Sequence, residues 1–180
     1  MKERNKKIKG IFIRYLLLIL IALPGFDLFY YIFSPITIYP LQFILSLFYN
    51  VLVQGNTIFA NGYPIEIIGA CVAGSAYYFL LILNLTTEGI NAKKRVFMIG
   101  LSFAIFYVIN LLRIVILSIM YVNGSSFFDF THKIFWYAGS TIFVIAIWFL
   151  EVKIFKIKGI PIYDDLKFLY KKSSINKSRK

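Results

Sequence analysis

The sequence predicts an all-α fold, a polytopic bundle of transmembrane helices, and two observations lead to that prediction. Of the 180 residues, 59% are hydrophobic and 19% aromatic, and the mean hydropathy is +0.75. A soluble domain of this length has too little interior to bury so much apolar surface, so lipid must cover the rest. The charges are also unevenly placed, because eighteen of the 20 lysines and arginines fall in residues 1–14, 93–95 and 153–180. Basic residues bunched at the ends of apolar segments are typical of cytoplasmic loops.

Composition also excludes several classes of protein. The net charge of +12 does not indicate a partner made of nucleic acid, because no basic stripe interleaved with exposed aromatic residues lies on a soluble unit. Cys71 is the only cysteine, so an internal disulfide is excluded. A single histidine and eight acidic residues make a structural zinc site a poor expectation. We therefore expect neither a metal nor a cofactor.

The first two apolar segments are predicted to behave differently. Residues 11–33 are predicted to form a retained transmembrane helix rather than a signal peptide, with a kink at Pro24. Residues 41–54 carry a polar side chain every four positions, on one face of a helix. The basic amino terminus and the basic loop at residues 93–95 both favour the cytoplasm. An even number of crossings must then separate them, and residues 11–33 and 65–85 already supply two. The helix at residues 41–54 is therefore expected to re-enter or lie in the interface, with an ordinary spanning helix as the alternative.

Turn signals at residues 55–56 and 61–62 predict a short extended or hairpin element on the outer face. Residues 65–85, 96–122 and 131–153 are predicted to cross the membrane in turn. The sequence thus predicts about four full spans, one interfacial or re-entrant helix and the short outer element. Residues 156–180 are predicted to be a basic cytoplasmic tail, part amphipathic helix, near anionic headgroups. Both termini are expected on the cytoplasmic side of a multi-pass cell-membrane protein.

Three polar residues from distant parts of the sequence fall at one depth of this bundle. At about 1.5 Å per residue, Arg113 lies roughly 26 Å from Val96, and Cys71 lies about 21 Å from Leu85. Both fall near the outer boundary of a hydrocarbon core about 30 Å thick. His132 opens the last helix at the outer surface. Each residue taken alone has an ordinary explanation: packing for the cysteine, snorkelling for the arginine and an interfacial position for the histidine.

Together, these three side chains would form a thiol active site at the extracellular face. Cys71 is close to a helix start and to a permanent cation, and both favour its thiolate. His132 could take the thiol proton and later protonate a leaving amine. Arg113 could either hold the thiolate or stabilise a tetrahedral oxyanion, and the sequence leaves both roles open. Three further residues are candidates for supporting roles: Asn110, Ser75 and Glu66.

The ordered set of these residues resembles the exosortase/archaeosortase family. Its pieces are GACVAG at residues 69–74, NLLRI at residues 110–114 and THK at residues 131–133. The resemblance covers roughly residues 42–150, and the continuation CVAGSAYY looks most like small archaeal members of the pacearchaeosortase kind. The chain departs from many relatives in carrying Val72 and Ala73 ahead of Gly74, and from several archaeosortases in carrying His132 in place of an arginine.

The resemblance implies an intramembrane cysteine transpeptidase or protease, with residues 1–155 as its transmembrane catalytic domain. Its substrates would be surface-protein precursors with a C-terminal sorting signal: a short motif, a transmembrane helix and a basic tail. A Cys71 thioester would form at the outer face, and the acyl group could pass to a membrane lipid. The alternative is a non-catalytic membrane assembly factor or a small transporter subunit, for which the three residues would face different sides of the bundle.

Overall fold

The computed structural model describes residues 2–25 and 27–172, and eight α-helices, one π-helical turn and three strands lie in this described part. The elements, in chain order, are α1 (Lys2–Ala22), α2 (Asp27–Ser46), β1 (Val51–Gln54), β2 (Thr57–Ala60), β3 (Tyr63–Glu66), α3 (Gly69–Val72), α4 (Gly74–Thr86), α5 (Ala92–Val122), α6 (Phe128–Ile134), the π turn (Phe135–Gly139), α7 (Ser140–Phe155) and α8 (Tyr163–Lys172).

Four helical segments of the described chain are long and apolar enough to cross a bilayer. They are Asp27–Ser46, Gly69–Thr86, Ala92–Val122 and Phe128–Phe155. The prediction of a polytopic helical bundle is therefore confirmed, and the protein is a multi-pass membrane protein. α5 lies at its centre and packs against α2, α4 and α7.

The predicted single helix at residues 11–33 is wrong. α1 ends at Ala22, and the chain turns at Pro24 and Gly25, where Gly25 has a φ of +68° and its N–H donates to the Ala22 carbonyl at 2.9 Å. α2 then continues to Ser46 through two prolines. Pro40 has no N–H for the Ile36 carbonyl, and the Tyr107 hydroxyl of α5 donates to that carbonyl at 2.7 Å. The first membrane-length apolar helix is therefore α2.

The predicted helix at residues 41–54 is also wrong beyond Ser46. Residues 51–54 form strand β1, because Val51, Leu52 and Val53 suit a pleated strand and pair with β2. The register joins Val51 to Ala60 and continues to Gln54 opposite Thr57. The predicted hairpin is present and is larger than expected, since β3 adds a third antiparallel strand. Only the first two polar positions of the four-residue repeat, Gln42 and Ser46, lie on a helix.

The bundle has two chemically different ends. We call the end at which residues 87–91 connect α4 to α5 the basic end, and the end that carries the three strands the sheet end. α1 begins at the basic end, where Lys7 pairs with Glu88. α2 finishes at the sheet end, where the Tyr49 hydroxyl donates to Asn123 Oδ1 at 3.3 Å. Residues 2–46 thus pass once between the ends and α4 returns, so no re-entrant helix is needed. The side of the membrane that each end faces stays a prediction.

Aromatic packing fixes the middle of the bundle. The Tyr77 ring of α4 stacks on Phe33 of α2 with ring centroids 4.1 Å apart and meets Phe103 and Phe106 of α5 edge-on at 5.0 and 4.9 Å. Closer to the sheet end, a second buried cluster joins α2, β2 and α5 through residues that include Leu45, Ile58 and Ile114. These two clusters hold α5 against the start of the α3–α4 segment, which positions the site described next.

At the basic end, α8 packs against the bundle through the Asp165 carboxylate, which accepts from Arg14 of α1. The predicted division of the chain at residues 155 and 156 stays a prediction. The last part of the predicted tail, residues 173–180, lies outside the described residues.

Candidate active site

Cys71 lies in a single helical turn that is separated from the helix after it. α3 covers only Gly69–Val72, and Ala73 adopts the left-handed conformation with φ 58° and ψ 47° before α4 begins at Gly74. A left-handed alanine is uncommon, because its Cβ approaches the following carbonyl. The break interrupts the regular helical hydrogen bonds, so the carbonyls of Ala70 and Cys71 must find donors elsewhere.

Two side chains of α5 supply these donors. Asn110 Nδ2 donates to the Cys71 carbonyl at 2.8 Å, and Arg113 Nη2 donates to the carbonyls of Ala70 and Cys71, each at 3.3 Å. Asn110 and Arg113 are three residues apart and therefore lie on one face of α5. Both are buried, with 3% and 9% of their surface exposed. Asn110 and Arg113 thus both hold the cysteine turn.

Ser140 completes the surroundings of Arg113 from the last helix. Arg113 Nη1 donates to Ser140 Oγ at 3.3 Å. In a regular α-helix, residues eight apart such as His132 and Ser140 differ by about 80° around the axis. The π turn at Phe135–Gly139 inserts an extra residue between them, which brings both toward one face. A Cβ at Gly139 would lie 3.0 Å from Phe135 Cδ1, so the glycine gives this turn room.

Not every donor of Arg113 is used. The Nε atom is buried and has no hydrogen-bond partner among the described residues, although both Nη atoms are engaged. A buried N–H without an acceptor is costly, and in native proteins such a group calls for an explanation. The guanidinium therefore holds the cysteine turn and Ser140 and keeps at least one N–H group without an acceptor among the described residues.

The three predicted site residues line one cavity. This cavity, of about 250 Å³, lies between β3, α3, α5, α6 and the π turn, and Cys71, Arg113, His132 and Glu66 contribute to its wall. The His132 ring stacks on Phe128 with centroids 5.4 Å apart and meets Trp136 edge-on at 6.1 Å. The Cys71 thiol is half-buried and donates to the Glu66 backbone carbonyl at 3.9 Å. Within the described part of the chain, no hydrogen bond joins His132 to Cys71 or Arg113.

Ser75 lies elsewhere. A second cavity, of about 420 Å³, lies on the other side of the cysteine turn and shares Ala70, Arg113 and Trp136 with the first. It is more polar, and its wall includes the side chains of Asp27, Tyr30, Ser75, Ser140 and Thr141. We call the first cavity, which contains Cys71, the cysteine cavity. Arg113 thus lies between the cysteine cavity and the second cavity. Ser75 belongs to the second cavity and does not line the first.

Sequence reasoning missed three residues of this region. Ser140 was hidden because its contact with Arg113 depends on a π turn, which periodicity does not reveal. Asp27 offered a signal, since an acidic residue inside an apolar segment costs free energy in a membrane. Ala73 offered another, as the residue that departs from the family pattern between the cysteine and Gly74.

The described part of the chain holds no cluster of metal-ligating side chains. Among residues 2–25 and 27–172, no three His, Cys, Asp or Glu side chains lie close enough together to hold a metal ion. The chemistry available in the cysteine cavity is that of a thiol, an imidazole, a guanidinium and a carboxylate.

Comparison with known proteins gives one positive result. The family model described as transmembrane exosortase (Exosortase_EpsH) matches residues 6–152. That range includes Cys71, Arg113 and His132. No curated protein and no solved structure matches the chain significantly.

Proposed function

The chain belongs to the transmembrane exosortase family, and from this premise we propose that it is an intramembrane cysteine transpeptidase or protease. Its substrates are surface-protein precursors whose C-terminal sorting signal consists of a motif, a transmembrane helix and a basic tail. Cleavage takes place at the sheet end of the bundle, which faces the outside of the cell. The single observation that carries the proposal is that Cys71, Arg113 and His132 line one cavity.

Cys71 is the nucleophile. Cys71 gives its proton to His132, the resulting thiolate attacks the scissile carbonyl, and the C–N bond breaks to leave a thioester on Sγ. His132 delivers a proton to the departing amine of the C-terminal fragment. Since His132 has no hydrogen bond to Cys71 in the free protein, the peptide would lie between the two side chains. A nucleophile, either water or a lipid amine, then releases the acyl group and restores the thiol.

Arg113 serves the oxyanion rather than the thiolate. Three of its five N–H groups are used by Ser140 and by the carbonyls of Ala70 and Cys71, so two remain for a further acceptor. A donor held in place before the reaction, in a site without water, is what oxyanion stabilisation requires. An N–H group of Arg113 that neither Ser140 nor the cysteine turn uses would donate to the carbonyl oxygen as its negative charge develops.

The second cavity is suited to the membrane-spanning part of the substrate. It adjoins the cysteine turn, and Gly69, Ala70, Ala73, Gly74 and Ser75 line it on the α3–α4 side. Small residues allow another helix to approach closely within a bilayer. Ala70, Arg113 and Trp136 line both cavities. A substrate helix in the second cavity would therefore have its outer end beside the cysteine cavity.

The test is to follow processing in cells that express a surface protein ending in motif, apolar helix and basic tail. With the wild-type chain, the precursor is shortened. With Cys71→Ala, the precursor should accumulate at full length, and a hydroxylamine-sensitive covalent adduct should form with the wild type alone. Cys71→Ser tests whether a hydroxyl can replace the thiol, and little turnover is expected.

The outcome also decides between this proposal and the alternative of a non-catalytic assembly factor or transporter subunit. If Cys71→Ala inserts into the membrane, is monodisperse in detergent and leaves precursor processing unchanged, Cys71 is not the nucleophile. That result would favour a non-catalytic role as an assembly factor or transporter subunit.

A further inference from the structure

α8 is fastened to the basic end of the bundle along one of its sides. The Asp165 carboxylate is fully buried and accepts two hydrogen bonds from Arg14 Nη2, at 2.8 and 3.0 Å. The backbone N–H of Ile162 donates to the carbonyl of Thr86, the last residue of α4, at 3.2 Å. Just before α8, Gly159 packs so tightly that a Cβ there would lie 2.7 Å from the Glu88 carbonyl oxygen. The position of α8 relative to α4 is therefore fixed by direct contacts.

A second side of α8 is apolar and bare. Leu166 is 57% exposed, and the other large apolar residues of α8 exposed on this side are Tyr163, Leu169 and Tyr170. Their spacing of three, four and seven residues gathers them into one stripe. One residue corresponds to about 100° of rotation, so the stripe is centred about 100° from the buried Asp165.

The third side carries two lysines and the half-buried Asp164, whose Oδ2 accepts from the backbone N–H of Ile160 at 2.8 Å. Lys167 lies about another 100° beyond Leu166, and Lys171 lies on the same side. Both are exposed, as are Lys156 and Lys158 in the segment that leads into α8. α8 thus has one side for the bundle, one apolar side and one charged side.

The depth of α8 follows from the helices beside it. α4 ends at Thr86, α5 begins at Ala92, and Lys94 of α5 donates to the carbonyl of Phe155, where α7 ends. Three membrane-length helical segments therefore reach their limits at the level of α8. That level corresponds to the boundary between hydrocarbon and headgroups.

We propose that α8 lies in the plane of the membrane at the basic end, with its apolar stripe among the lipid acyl chains and its lysines at anionic phosphates. An amphipathic helix with a basic side binds a lipid surface in this way. Lipid is the occupant that the charge and the depth of the stripe both favour. The proposal does not depend on the proposed protease activity.

The test places an environment-sensitive fluorophore on either side of α8. In the full chain with Cys71→Ser, which removes the only native thiol, Leu166→Cys and Lys167→Cys are each labelled with NBD and reconstituted in nanodiscs. The two positions are neighbours in sequence and both are exposed, so they form a matched pair. Quenching is measured with a nitroxide on the lipid acyl chain and, separately, with iodide in water.

We expect the label at position 166 to emit at shorter wavelength and to be quenched by the lipid nitroxide, while the label at position 167 is quenched mainly by iodide. Equal iodide quenching at both positions would overturn the proposal, because the stripe would then face water. Protection of position 166 from both quenchers would also overturn it, since a protein surface would then cover the stripe.

A second measurement tests the charged side. Nitroxide quenching at position 166 should increase when phosphatidylglycerol replaces part of the phosphatidylcholine of the nanodisc. Lys167→Gln with Lys171→Gln should remove much of that increase. Quenching that is insensitive to phosphatidylglycerol in the unsubstituted chain would rule out the role of the lysines.

Discussion

The guanidinium of Arg113 has both engaged and unengaged nitrogen atoms. Its Nη atoms hold the carbonyls of the broken turn and the hydroxyl of Ser140, and its Nε is left without an acceptor. The planar guanidinium is suited to this, because its donors have fixed relative directions, whereas an ammonium is a point charge on a flexible stem. The role of the arginine therefore depends on geometry as well as on charge.

Replacing Arg113 with lysine should separate the contribution of geometry from that of charge. Lysine keeps the positive charge but cannot hold the turn and offer a directed donor to the oxyanion at once. We expect Arg113→Lys to lower the rate of precursor processing about 100-fold, the loss typical of a missing oxyanion donor. Pulse-chase labelling of the precursor measures this rate, and a near-normal rate would show that charge alone suffices.

Ser140→Ala removes one partner of the same guanidinium and should affect precursor processing less than Arg113→Lys does. It removes one hydrogen bond worth about 1 kcal/mol, and the processing rate should fall about fivefold. The same pulse-chase assay measures it, with Ser102→Ala as the control, because Ser102 is a buried serine of α5 that bonds only within its own helix. If the two alanine variants behave alike, Ser140 has no particular role in positioning Arg113.

That the cysteine, the arginine and the histidine line one cavity could be predicted from sequence, because each is an expensive or reactive group at a computable depth. What they contact could not. The predicted roles for Arg113 treated it as a partner of the thiol or of the oxyanion, while the structure also shows it as a donor to the backbone of the cysteine turn. That contact exists because Ala73 breaks the helix, and a left-handed alanine has no signature in composition or periodicity.

Among the elements, the π turn at Phe135–Gly139 determines which side chains of the last span face α5. If residues 132–140 formed a regular α-helix instead, His132 and Ser140 would point about 80° apart around its axis, and the contact between Ser140 and Arg113 would be lost. π turns of this kind recur at functional sites. The element is small, but it aligns the two halves of a membrane-spanning segment.

Gly139→Ala should disturb this turn. The added Cβ would lie 3.0 Å from the Phe135 ring, so the ring or the turn must shift. We expect precursor processing to fall several-fold while the thermal unfolding temperature changes little. Gly100→Ala in α5 is the control, since nothing lies within 4 Å of its added Cβ, and it should gain about 0.5–1 kcal/mol from helix propensity. A fully active Gly139→Ala variant would mean that Phe135 absorbs the change.

The second cavity gives a prediction about substrate entry. Thr141 and Ile142 are neighbours in α7 and both are exposed, but only Thr141 lines this cavity. Thr141→Trp should fill the space and block processing of the membrane-anchored precursor, whereas Ile142→Trp should leave it nearly unchanged. Cross-linking of enzyme to precursor reports binding directly, and equal binding by the two variants would exclude this cavity as the docking place.

Spans could be predicted where apolar length alone decides, as for α4, α5 and the last segment. The first spans could not, because two prolines inside α2 and one before it look alike in sequence. Pro24 ends a helix, while Pro40 is tolerated because Tyr107, far away in the chain, donates to the carbonyl it leaves free. The helix predicted at residues 41–54 failed for a related reason: its polar repeat continues into residues that pair as a strand.

For the whole molecule, a buried polar pair joins two spans near the basic end. Asn84 Nδ2 of α4 donates to Glu151 Oε2 of α7 at 3.0 Å, and both residues are fully buried. Asn84 Oδ1 and Glu151 Oε1 have no partner within the described residues. A partly satisfied pair of this kind holds α4 to α7 but adds less stability than apolar packing would.

Asn84→Leu should therefore lower the free energy of unfolding by about 1–3 kcal/mol, because it leaves the buried carboxyl group of Glu151 without its donor. The double variant Asn84→Leu with Glu151→Leu should recover all of that loss or exceed it, since both polar groups are then replaced by apolar ones. Denaturation in detergent measures both. A double variant no more stable than the single one would show that the pair contributes more than the packing that replaces it.

The hydrogen bond from the Tyr107 hydroxyl to the Ile36 carbonyl, which Pro40 leaves free, has a consequence for biogenesis. Ile36 and Tyr107 are separated by 71 positions, so α2 leaves the ribosome well before its donor has been synthesised. Until α5 is inserted, the Ile36 carbonyl must accept a hydrogen bond from the translocon or from a trapped water. The first long span can therefore settle into its final shape only after the third has arrived, so assembly of the bundle continues after each helix enters the bilayer.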